Sequence, residues 1–113
     1  MVEESIIQSI RRYLKALMDG GLEPSFGVLF GSQVNGKANE WSDIDLVVVA
    51  PRYDQNYQYA DVSPLWRTAG MIDSRIEPIP CGVNQWETDN GTPIIWIARK
   101  EGVVIDIKED NIV

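Results

Sequence analysis

The sequence predicts an α/β domain (α+β by element order) in which a small mixed β-sheet is flanked by helices. Two apolar runs, Phe26 to Phe30 and Asp45 to Ala50, have the length and β-branched or aromatic content of buried strands. Two other segments repeat apolar residues every three or four positions, as amphipathic helices do. The patterns follow in the order α-β-β-α-β-α-β with short connections, which implies a sheet covered by helices. With 113 residues the chain fits one domain, residues 1–113, and can bury roughly two thirds of its unfolded surface.

The first helix is read from Ile6, Ile7, Ile10, Leu14, Leu17 and Met18, with Glu3 and Glu4 near its start and Gly20-Gly21 as its stop. Phe26 to Phe30, between Pro24 and Gly31, is a buried strand. Residues 31 to 42 are rich in Gly, Asn and Ser and read as loop, opening with a helical turn. Asp45 to Ala50 is apolar on both faces and so central in its sheet, and Pro51 ends it. Residues 51 to 60, with Tyr53, Tyr57 and Tyr59 among Gln and Asn, read as a polar, mobile loop. Asp61 can cap a helix that covers Leu65, Trp66, Ala69 and Ile72. In "SRIEPIP" the pattern predicts a third strand that Pro78 assigns to an edge or a bulge. Thr92-Pro93 starts a helix over "IIWIARKE", Gly102 closes it, and "VVIDI" is the last strand, with Asp106 facing water.

Composition excludes several kinds of function. Ten Lys and Arg against 17 acids give a net charge of −7, which argues against general binding to nucleic-acid backbone. No histidine is present, so Ser-His-Asp, Cys-His and His-ligated zinc chemistry are out of reach. The one cysteine, Cys81, reads as a small buried apolar residue in a reducing compartment. No apolar run approaches the roughly 20 residues of a membrane span. The expected setting is cytoplasmic, with no membrane partner.

What chemistry remains must use carboxylates, hydroxyls, backbone amides or bound metal. Asp43 and Asp45 lie two apart at the mouth of a strand, so their side chains share a face, roughly 6 to 7 Å apart along the strand rise. Two like charges at that distance repel by about 2.5 kcal/mol at an effective dielectric of about 20, and a divalent cation would turn the repulsion into binding. A lone Asp-x-Asp is usually just a polar strand mouth. Here Gly31-Ser32 follows the neighbouring strand directly. Glycine permits a tight turn whose amides, with the Ser32 hydroxyl, can donate to phosphate oxygens. A phosphate cradle beside a metal site is what a nucleoside triphosphate needs.

The stretch "GSQVNGKANEWSDIDLVVV" resembles the signature of the DNA polymerase β-type nucleotidyltransferases, in which Gly-Ser is followed some ten residues later by Asp-x-Asp on the next strand. The chain is most similar within that superfamily to the minimal nucleotidyltransferases of the antitoxin type. The resemblance implies the polymerase β-like fold and a third carboxylate from a later strand. Asp73 and Glu77 are the candidates, and Glu77 is favoured because it lies inside the apparent strand, between Ile76 and Ile79. Asp43 and Asp45 would hold one Mg²⁺ and, with Glu77, a second, so that two ions serve the transfer. Gly31 and Ser32 would bind the triphosphate, with Lys37 in reach of it. The expected activity moves a nucleoside monophosphate, AMP from ATP, onto an acceptor hydroxyl.

The resemblance also implies a partner, a small helical HEPN protein of a toxin–antitoxin module, with a tyrosine of that partner as acceptor. A second reading is a binding module that neutralises such a partner by contact alone. In a third, a small-molecule transferase, the Tyr53 to Tyr59 loop forms the acceptor site. Separately, Trp41, just before the acids, either lines the nucleotide pocket or packs under its loop. Trp66, Trp86 and Trp96 read as core or interface residues. A homo-oligomer is left open.

Overall fold

A computed structural model describes residues 2–107. Helix α1 (Glu4–Asp19) buries Ile6, Ile10, Leu14 and Leu17 of the expected stripe, together with Tyr13, while Ile7 is half-buried and Met18 is exposed. It ends at Gly20, and Gly21 takes the left-handed φ of 102° that turns the chain toward the sheet. Strand β1 (Phe26–Phe30) follows as expected, then a one-turn helix α2 (Ser32–Asn35) and strand β2 (Ile44–Val49). A turn of 3-10 helix (Pro51–Asp54) leads to α3 (Tyr59–Ile72), β3 (Ile76–Cys81), α4 (Val83–Thr88), α5 (Pro93–Glu101) and β4 (Val103–Ile105).

The four strands lie in the order β3-β2-β1-β4. β1 runs antiparallel to both β2 and β4, while β2 and β3 are parallel. The sheet is therefore mixed and β2 is central, in agreement with its two apolar faces. Pro78 sits on edge strand β3, where a missing N–H costs no ladder bond on the solvent side. Ile44, Leu46 and Val48 point to one face and pack with α1 and α3. Val47 and Val49 point to the other, with Val28, Phe30, Cys81 and the α5 residues Ile95 and Ala98.

Several expectations are corrected. Residues 51 to 60 are not a polar loop throughout: Tyr53 is 3% exposed, belongs to the core and donates its hydroxyl to Asp61 O at 2.7 Å. Asp61 is not the cap residue of α3 but the third residue of its first turn. Gln58 holds the cap position, and its N–H donates to the Asp61 carboxylate at 2.9 Å. Helix α4 has no counterpart in the sequence reading, since six residues are too few to show a period. The last strand stops at Ile105, which leaves Asp106 exposed beyond it. Trp86 is half-buried against Phe26, ring centroids 6.0 Å apart, whereas Trp66 and Trp96 are exposed. Among the described residues no helix is long and apolar enough to cross a membrane.

Candidate active site

β1 delivers Phe30 beside Asp45, so the chain leaves the sheet at Gly31 right next to that carboxylate. Gly31 adopts φ 79°, ψ −148°, a backbone region essentially reserved for glycine. A Cβ there would lie 2.5 Å from Asp45 Oδ2, so both conformation and space demand glycine. The N–H groups of Val34 and Asn35 donate to Gly31 O at 3.0 and 3.1 Å and close the turn of α2. Those of Ser32 and Gln33 belong to the first turn, where a helix supplies no acceptor of its own.

Asp45 also stands directly opposite Glu77 in the parallel register of β2 and β3. Asp43, two residues back, shares the Asp45 face, and Glu77 lies near enough to Asp43 to feel its charge. Asp43 and Glu77 are exposed and Asp45 is half-buried. Burial first, and the Asp43 charge second, push the Asp45 carboxyl above its usual range. Glu77 is likewise pushed up, by desolvation and then by Asp43 and Asp45. The two ion pairs among the described residues, Arg52–Asp61 and Arg75–Asp73, involve none of these three acids. Three carboxylates thus repel one another with no ion-paired Lys or Arg among the described residues.

Asp73, the other candidate for the third carboxylate, is turned elsewhere. It accepts from the Arg75 N–H at 3.1 Å and from the Arg75 guanidinium at 3.0 and 2.8 Å, and these bonds pull its carboxyl down to about 2. The donor set of Asp43, Asp45 and Glu77, hard oxygens on one face, suits a divalent cation. Their present rotamers do not close a cluster of three ligands around one point among the described residues.

One contributor is invisible in the sequence. Gln33 Nε2 donates to Ser42 O at 3.5 Å and to Asp43 O at 3.3 Å, and so ties α2 to the backbone that carries the first acid. No spacing rule signals a side chain that bonds to carbonyls nine and ten residues away. Beside it, residues 39 to 42 form a closed turn that leaves Trp41 outside, not packed beneath the loop. Lys37 is exposed in the same loop.

The tyrosine segment lies at the other end of the sheet. β2 begins at the acids and runs away from them, so Pro51 to Tyr59 follow its far end. This overturns the reading of that segment as an acceptor site. A groove of about 270 Å³ lined by Leu22, Glu23, Pro51 and Arg52 is also at that end, where β1 starts and β2 finishes.

Residues 8–109 match the sequence pattern of the nucleotidyltransferase domain family, and the chain belongs to that family, within the polymerase β-like superfamily. It is a transferase of nucleotidyl groups whose substrate is a nucleoside triphosphate. Among solved structures that resemble it is a proposed nucleotidyltransferase from Sulfolobus solfataricus, with a TM-score of 0.64 at 14% identity over 88% of this chain and 78% of the other. At that identity the likeness is one of fold. No curated protein matches the sequence.

Proposed function

We propose that the chain transfers AMP from ATP to an acceptor hydroxyl, with Asp43, Asp45 and Glu77 as the metal-holding acids and Gly31 and Ser32 as the triphosphate cradle. The observation that carries this reading is the register: Phe30 beside Asp45, and Asp45 opposite Glu77, so that the Gly31 turn and three acids meet at one end of the sheet. A divalent ion held there, Mg²⁺ by donor chemistry and two ions by the superfamily's logic, would supply Lewis-acid stabilisation and acidify the acceptor hydroxyl.

The protein's own groups do the rest. The Ser32 hydroxyl and the first amides of α2 grip the phosphates that leave. Glu77, opposite Asp45, takes the acceptor's proton. The acceptor oxygen bonds to the α-phosphorus as the bond to the bridging oxygen breaks, and pyrophosphate departs with the electron pair.

A protein acceptor is favoured over a small molecule, and the specific proposal is a tyrosine of a HEPN-type helical partner in an antitoxin role. In support, the outer side of α5 exposes Ile94, Trp96 and Ile97, and the net charge of −7 suits a basic partner. The test is to incubate the chain with ATP, Mg²⁺ and the helical protein encoded beside it, then weigh both proteins. A gain of one adenylyl group on the partner's tyrosine, absent with Asp43→Asn/Asp45→Asn, is expected. Neutralisation of the partner by the double variant, with no mass gain in either case, would favour the contact-only reading instead.

A further inference from the structure

Trp41 is 81% exposed, yet its backbone is held firmly. Its N–H donates to Asn39 Oδ1 at 2.8 Å, the Asn39 N–H to Ser42 Oγ at 2.9 Å, and the Ser42 N–H back to Asn39 O at 3.0 Å. Gln33 then fastens this turn to α2 through Ser42 O and Asp43 O. The indole is thus a large flat group, mostly in water, on a turn tied to α2 and to the backbone of Asp43. Leaving such a ring in water forfeits the free energy its burial would give, unless something else covers it. Its chain neighbours Asn39, Glu40, Ser42 and Asp43 are all polar or acidic, so the loop itself offers the ring no apolar partner.

We infer that Trp41 is the platform on which the base of the nucleoside triphosphate stacks, so that the site prefers a nucleotide to a bare polyphosphate. This rests on the nucleotidyl-transfer reading above. Two residues of chain separate the Cα atoms of Trp41 and Asp43 by at most about 7 Å, so a base joined to a phosphate at the acids falls within reach of the indole. Tyr59 is as exposed, at 83%, but it opens α3 at the far end of the sheet. A nucleobase offers what this loop lacks, an apolar face bounded by polar edges, and every base has such a face. Stacking therefore selects for a base without choosing among bases.

Calorimetry in Mg²⁺ with two probes, ATP and inorganic tripolyphosphate, tests this on the wild type, Trp41→Ala and Trp41→Phe. Trp41→Ala is expected to weaken ATP binding by roughly 5- to 150-fold and to leave tripolyphosphate unchanged, while Trp41→Phe keeps most of the ATP affinity. Unaltered ATP affinity in Trp41→Ala, or an equal loss for both probes, overturns the stacking role while the phosphate and metal site stands. If neither probe binds the wild type, the site reading itself fails, and the stacking inference falls with it.

Discussion

Gly31 carries two constraints at one residue: a φ of 79° and a carboxylate where its Cβ would go. Gly31→Ala should therefore cost about 1–3 kcal/mol in urea unfolding and impair transfer as well, because Asp45 must move aside. The acids make a second prediction. Asp45 binds its proton more tightly folded than unfolded, so its protonation contributes stability that is fully present below the ordinary carboxylate range and lost as pH rises through the raised folded-state pKa. Asp73, held down by Arg75, behaves oppositely and loses its contribution as pH falls. The Asp45 effect is thus read as a difference. Without divalent ions, Asp45→Asn should match the wild type at low pH and become the more stable of the two as pH rises toward neutrality. Thermal melts across the pH range check it, and a gap that narrows with rising pH contradicts it. Gly31-Ser32 and Asp43-x-Asp45 were legible because a turn residue and a two-residue alternation are local features. Gln33 was not, since its role depends on backbone brought near only by the fold.

At the scale of elements, strands were more legible than connections. β1 matched its apolar run residue for residue, and Pro78 marked an edge strand correctly, because burial and a missing N–H act within the element itself. The segment after β2 misled because its tyrosines, read as polar, include one whose ring fills the core and whose hydroxyl finds a backbone acceptor. Helix α4 was missed for a related reason: its start is secured from outside. Asp54 accepts from the N–H groups of Val83, Asn84 and Gln85 at 2.8 to 3.3 Å, the work of a cap residue done from 29 to 31 positions earlier in the chain. Asp54→Ala should cost about 1–2 kcal/mol and speed hydrogen exchange in α4 first, with ATP binding unchanged. Arg99, which reaches back to Asp89 O and Asn90, and stacks over Trp86, binds α5 to the end of α4 in the same way.

Across the whole molecule, β2 carries Asp45 near its start, with Asp43 just before it, and its body lies between two cores. Leu46 is fully buried at its centre, and Leu46→Ala should cost about 2–5 kcal/mol, a large part of a typical total of about 5–15 kcal/mol, without touching the acids. The mixed sheet and its helices were legible from apolar runs, helical period and element order. The meeting of Gly31, Asp45 and Glu77 could be stated from the sequence only through the family signature, because register is a property of paired strands. The central claim is that these acids hold the metal through which ATP binds. Calorimetric titration of ATP with and without Mg²⁺, on the wild type and on Asp43→Asn/Asp45→Asn, tests it most directly. Binding that requires Mg²⁺ and vanishes in the folded double variant is the predicted result; ATP binding that persists undiminished in that variant would contradict it.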